Sequence, residues 1–263
     1  MMLLKRPCPP GWREAVAGYA HSGAPGGTKV TFWQDCDRAP GPWTAVRYAE
    51  LPPGTAETGH AEGREQVWLV ISGGGRAELD DEQHQLQDGD VLTCPVGTAC
   101  GIRVPETAAR PMALLTVEAF PGSPQRRSGP RRVPLAGRIS WCAGYRGGGC
   151  EQATQVAVAP IDRYLTGRWH RLSLIELEPG GILGDRNAYG GSAGYRRPFN
   201  ASEIIFTISG AAEITAGDVT AENKDSPDRR LCAGVPPDAA VLVRNLSQEQ
   251  PLLLASIEMG VPA

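Results

Sequence analysis

The sequence predicts an all-β protein made of two barrel or jelly-roll units in tandem. Three observations carry that reading. Thirty-three glycines and 23 prolines are spread along 263 residues, which favours many short strands joined by turns over long helices. The apolar segments, such as VWLVIS at 67–72 and IIFTIS at 204–209, are short, rich in β-branched and aromatic residues, and bounded by Gly, Pro or Asp. The chain also repeats itself in order. Strands this short and this numerous need closure or sheet-on-sheet packing to protect their edges.

Taken in order, residues 1–39 form an N-terminal arm in which REAVAGYA reads as a short helix, and DRAPGPW leads out of it. A first barrel follows over 40–121. WTAVRYAELPPG opens it at Trp43, QVWLVISGGGRAEL continues from Gln66, DVLTCPVGTACGIRV comes next, and LLTVEAF ends it at 114–120. Residues 122–160 read as a connector, with GSPQRRSGPRRV and its arginines as a solvated stretch, and PIDRYL at 160–165 reads as a second weak helix where the next unit begins. The second barrel, 161–263, repeats the signals as WHRLSLIELEPG, EIIFTISGAAEITA, RRLCAGVPPDAAVLVRN and LASIEMG. It is longer before its I-S-G strand by NAYGGSAGYRRPFNAS, whose glycines suit a lid over the second pocket. Trp43, Trp68 and Trp169 are expected in the core, between the barrels.

A net charge of -3 and a pI near 5.9 give no basic footprint for nucleic acid or an anionic membrane. The opening MMLLKRPCPP is too short in apolar residues for a signal peptide, and no apolar run has membrane-spanning length. Seven irregularly spaced cysteines without a CxxC fit reduced thiols. The expectation is a cytoplasmic protein acting on a small molecule.

These motifs resemble the cupins, small jelly-roll barrels, and in particular the two-barrel bicupins. In that family two histidines one residue apart precede a glutamate and a glycine, and a second motif G-x5-P-x-G-x2-H supplies a third histidine. Counting back from Gly73 puts Gln66 at the glutamate position and His60 and Glu62 at the histidine positions. Gly89, Pro95 and Gly97 fall on schedule in the second motif, with Cys100 where its histidine belongs. In the second copy Glu203 keeps the glutamate position, while Arg197, Phe199 and Val241 replace the histidines, and Pro236 and Asn245 fit the second motif.

The resemblance implies a divalent ion (Zn, Fe, Cu or Ni) in the first barrel, held by His60, Glu62, Gln66 and Cys100, and none in the second. Spacings of two and four keep His60, Glu62 and Gln66 on one side of an extended segment. Imidazole, carboxylate, amide oxygen and thiolate can each ligate such an ion. Glutamine in the metal set is similar to bicupin isomerases of antibiotic biosynthesis. That implies Lewis-acid chemistry, an isomerase, lyase or cyclase on a carbonyl or enol substrate, with His60, Glu62 or Glu65 moving the proton. An oxygenase with a thiolate-tuned iron or copper centre, a metal-free enzyme using His60 as base, and a non-catalytic binding bicupin stay open. Tyr195, Arg197 and Glu203 are the candidates for substrate binding in the second barrel, and Glu203 with Arg197 reads as an ion pair. The resemblance also implies a homodimer.

Overall fold

The computed structural model describes residues 16–21, 27–34, 42–60, 63–80, 82–122, 131–133, 153–184, 201–224, 229–237, 239 and 241–260. Ten strands come from the first half. They are β1 (Val16–His21), β2 (Lys29–Gln34), β3 (Trp43–Leu51), β4 (Ala56–His60), β5 (Glu65–Ser72), β6 (Gly75–Leu79), β7 (Glu82–Leu86), β8 (Val91–Cys94), β9 (Ala99–Arg103) and β10 (Met112–Ala119). Ten more follow: β11 (Arg131–Val133), β12 (Ala153–Ala159), β13 (Trp169–Leu177), β14 (Ile182–Gly184), β15 (Ala201–Ser209), β16 (Ala212–Ala216), β17 (Val219–Glu222), β18 (Arg229–Val235), β19 (Val241–Asn245) and β20 (Leu252–Gly260).

The duplication expected from the sequence is a duplication of topology. One six-stranded sheet runs β11-β8-β5-β10-β3-β2 and the other β1-β18-β15-β20-β13-β12. The four-stranded sheets run β4-β9-β6-β7 and β14-β19-β16-β17. Strands β3 to β10 therefore map one for one onto β13 to β20. Each barrel is one six-stranded sheet folded over one four-stranded sheet, and alternation along the strands sends one face to the barrel interior and the other outwards.

The outward faces of the two six-stranded sheets meet each other, not water. Val46, Tyr48, Val67, Leu69 and Leu115 from the first sheet share one core with Leu172, Ile204, Phe206 and Ile257 from the second. The Tyr48 ring stacks on Phe206 with centroids 5.6 Å apart, and Phe32 meets the same ring edge-on at 6.2 Å. Trp43 and Trp169 belong to this core, as the repeat suggests, but Trp68 lies inside the first barrel.

The repeated I-S-G turn has a steric basis. Gly73 and Gly210 hold φ of +86° and +97°, and a Cβ there would lie 2.5 Å from Pro111 O and 2.8 Å from Pro251 O. Only glycine takes that backbone so close to the next strand without strain.

Three local expectations are corrected. Part of REAVAGYA is strand β1, because pairing with β18 outweighs a weak local helix preference. PIDRYL keeps only a short 3-10 turn, Ile161–Arg163. Arg131 and Arg132 belong to strand β11, paired with Leu92 and Thr93 of β8. Among the described residues no helix is long and apolar enough to cross a membrane.

Candidate functional site

The interior of the first barrel is apolar at one end, where Leu51, Val70, Leu79, Leu92, Ile102 and Met112 pack together. At the other end β5, β10 and β3 turn polar side chains inwards. Gln66 and Glu118 are register partners on β5 and β10 and are 7% and 6% exposed. Gln66 Nε2 donates to Glu118 Oε1 at 3.1 Å, and Gln66 Oε1 accepts from Trp68 Nε1 at 2.9 Å. Arg47 of β3 closes an ion pair on Glu118, and Arg64 Nη1 reaches its other oxygen at 3.5 Å. The arginine side chains remain 34% and 27% exposed. The layer therefore runs from a buried indole through an amide and a carboxylate to two part-exposed guanidinium groups.

Below this layer lie two thiols. Cys94 is the register partner of Gln66 on β8, and it hydrogen-bonds with Cys100 of β9. Cys100 Sγ also contacts Thr98 O at 3.9 Å. Burial pushes the Cys94 thiol well above its ordinary pKa, and the contact with Cys100 and the charge of Asp80 push it the same way. Cys94 is therefore a protonated thiol in an apolar interior.

The ligand set drawn from the resemblance is not assembled by the described residues. His60 ends β4 opposite Ala99, and Gly59 stands opposite Cys100. The side chain of His60, like Glu62, Tyr195, Arg197 and the expected lid, lies outside the described residues. Gln66 has both ends of its amide engaged, and the indole N–H of Trp68 points at the oxygen that would have to face a cation. Among the described residues no group of three His, Cys, Asp or Glu is placed to hold an ion. As placed, the Gln66 amide oxygen is turned to Trp68 and not to a cation.

Glu65 is neither a proton carrier nor a surface acid. It is 1% exposed and faces away from the barrel interior, accepting from Thr166 N (2.6 Å), Thr166 Oγ1 (2.7 Å), Gly167 N (2.7 Å) and Trp169 Nε1 (2.8 Å) of the second half. Neighbours on β5 thus point oppositely, Gln66 into the site and Glu65 into the clasp between barrels.

The second barrel has a polar layer at the matching place. Glu203 and Glu258 are register partners, 1% and 0% exposed. Ser256 Oγ donates to Glu203 Oε1 at 2.5 Å, and Arg171 Nη2 donates to Glu258 Oε1 at 2.8 Å. Sequence reasoning passed over Glu118, Arg47, Glu258 and Arg171. The signal was available, since VEAF and IEMG set one glutamate at the same place in two otherwise apolar strands.

Comparison with known proteins agrees with this layout. Residues 47–118 match the family model for the cupin domain. The first barrel is a cupin domain. Over the whole chain the two-barrel cupin fold recurs in solved structures of low identity. AerE from Microcystis aeruginosa has a TM-score of 0.62 at 12% identity, covering 93% of this chain and 97% of that one. The formate complex of Lactobacillus farciminis oxalate decarboxylase has a TM-score of 0.54 at 13% identity, covering 83% and 77%. At such identities the likeness is one of fold. No curated protein matches the sequence. In this chain the family's glutamate position in the first barrel is a hydrogen-bonded glutamine, and the charged groups come from strands outside the two motifs.

Proposed function

We propose that the first barrel is the reactive site of an enzyme of small-molecule metabolism, an isomerase, lyase or cyclase acting on a carbonyl or enol substrate. The observation that carries this is Glu118, a buried carboxylate held by Gln66 and by two part-exposed arginines. Arg47 and Arg64 would bind the carbonyl oxygen and stabilise the charge that grows on it as an enolate forms. Glu118 would accept the proton from the adjacent carbon while the C–H electron pair moves into the enolate double bond. Returning that proton to another carbon gives the isomer, and expulsion of a β-substituent gives the elimination product. Gln66, fixed by Trp68, orients the carboxylate, and the apolar floor excludes water.

The test is deuterium exchange from solvent into enolisable carbonyl acids, followed by NMR. Wild-type protein is expected to exchange at least one such compound. Glu118→Gln should lose roughly 100-fold or more in rate, the usual worth of a placed acid–base group. Exchange that is unchanged in Glu118→Gln would overturn the assignment. Elemental analysis of tag-free protein completes the test. A stoichiometric ion that disappears in Cys100→Ala would replace this reading with the metal-assisted one.

A further inference from the structure

The end of the first barrel away from Glu118 carries an open cleft with a cavity volume of about 450 Å³. Strand β10 starts with Met112 at this end and carries Glu118 at the other, a span of roughly 20 Å in an extended strand. Three turns build the cleft, those from β5 to β6, from β7 to β8 and from β9 to β10. One wall is bare backbone because packing demands glycine there. A Cβ at Gly74 would lie 3.0 Å from Leu86 O, and one at Gly75 would lie 2.7 Å from Arg103 O and 3.0 Å from Met112 Sδ. Close strand packing thus keeps this wall free of side chains, so a ligand can approach the main chain.

The cleft also holds an ion pair. Arg110 Nη2 donates to both oxygens of Asp88, at 3.0 and 2.7 Å, and the two side chains are 60% and 54% exposed. Arg110 spends one nitrogen on this pair, and its Nε and Nη1 have no partner among the described residues. A pair this exposed adds little to stability, so its charges are available to a ligand. Its positive and negative centres are adjacent and it is neutral overall. An ion of a single sign is attracted by one partner and repelled by the other. A zwitterion whose own opposite charges are adjacent meets both favourably, and the guanidinium offers a carboxylate charge-assisted hydrogen bonds. Pro105, Ala108 and Ala109 add apolar surface to the same cleft.

We infer that this cleft is a second small-molecule site, separate from the polar layer around Glu118, and that it takes a zwitterionic α-amino acid with a short aliphatic side chain. The ligand carboxylate takes the open nitrogens of Arg110, its ammonium takes Asp88, and its side chain lies on Pro105 and Ala108. The cleft volume falls within the range of small-molecule pockets. The inference does not depend on the reaction proposed for the barrel interior.

The test is titration of the isotope-labelled full chain, followed by two-dimensional NMR, with L-valine, isovalerate, isobutylamine and glycerol. L-valine should move the amide signals of residues 73–75 and 107–110 saturably. Isovalerate and isobutylamine each lack one of its charges and should bind roughly fivefold more weakly, the upper worth of an exposed ion pair. Glycerol should give no saturable shift. Arg110→Gln and Asp88→Asn should each weaken L-valine roughly fivefold with the melting point unchanged, because both side chains are exposed. Ala109→Trp, which fills the cleft, should abolish binding. No saturable shift with L-valine, equal affinity for isovalerate, or binding that persists unchanged in Arg110→Gln would overturn the inference. Shifts centred instead on Gln66 and Glu118 would place the ligand in the barrel interior and overturn it as well. The outcome is separable from the proposed reaction, which is read by proton exchange and by Glu118→Gln.

Discussion

Replacing Glu65 should weaken the whole molecule more than any other single acid on β5 to β10. In Glu65→Ala, Thr166 N, Gly167 N and Trp169 Nε1 lose their acceptor in a place where Glu65 is 1% exposed. Each buried donor left unsatisfied costs about 1–3 kcal/mol. Partial access of water through the Thr166 turn lowers the sum, so about 3–5 kcal/mol is expected. Glu65→Gln keeps one oxygen but turns an NH2 toward two of the donors, for an expected loss of about 2–4 kcal/mol. At about 2–4 °C per kcal/mol for a chain of this size, Glu65→Ala should melt roughly 8–15 °C below wild type. Differential scanning calorimetry is the assay, with the exposed Glu106→Gln as control. The clasp joins the halves, so the transition should also broaden or split in Glu65→Ala. A melting point within about 1 °C of the control would refute the argument.

Gly73→Ala should cost about 2–3 kcal/mol, since it adds left-handed strain to a Cβ 2.5 Å from Pro111 O. Gly63→Ala, with φ +66° and nothing within 4 Å, should cost only about 1 kcal/mol. Urea midpoints check both, and equal costs would remove the steric half of the argument. Cys94 and Cys232 are held protonated by burial. An unfolded chain ionises these thiols near pH 8.5 and the folded one does not, so the unfolded state binds fewer protons and stability falls as pH rises above about 8.5. Denaturation at pH 7 and pH 9.5 should show the decline, with Cys94→Ala reducing it. Mass mapping of thiol labels should find both residues modified only after unfolding. Gln66→Glu would set a second carboxylate where the amide now donates to Glu118 at 3.1 Å. That raises a carboxyl pKa in the folded state, so a loss of about 1–3 kcal/mol at pH 8 should shrink toward pH 5. A loss independent of pH would mean that shape, not charge, excludes glutamate there.

The fold was legible because its signals are periodic and repeated. The I-S-G turn, the tryptophan that opens each unit and the short β-branched runs reflect constraints met twice, and Gly73 and Gly210 answer the same steric demand. Within the first barrel's described residues, motif spacing locates Gln66 and Cys100. Strand register decides the rest. Motif spacing does not report which residues stand opposite one another: in the β4–β9 pairing His60 stands opposite Ala99 and Gly59 opposite Cys100. Arg47 and Glu118 were hidden for another reason. They lie 71 residues apart and meet only because β3 and β10 are adjacent in the sheet. The clasp role of Glu65 was hidden because the partner turn, Thr166 to Trp169, comes from the other repeat.

The two barrels are bound by more than their shared core. The first strand of the first repeat, β1, pairs with β18 of the second barrel, with Val16 opposite Gly234 and His21 opposite Arg229. The corresponding strand of the second repeat, β11, pairs with β8 of the first barrel. Each unit therefore lends its opening strand to the other, and neither six-stranded sheet is complete from one repeat alone. This arrangement protects sheet edges that would otherwise be open. It also bears on the site, since β8 carries Cys94 opposite Gln66, and β11 covers its outer side. The position of Gln66 is thus set from two directions by the second repeat, through β11 beyond β8 and through Glu65, its neighbour on β5. A duplicated chain in which the second barrel supports the first can keep one polar layer rigid while its partner's layer, with Glu203 and Glu258 around Arg171, carries a different balance of charge.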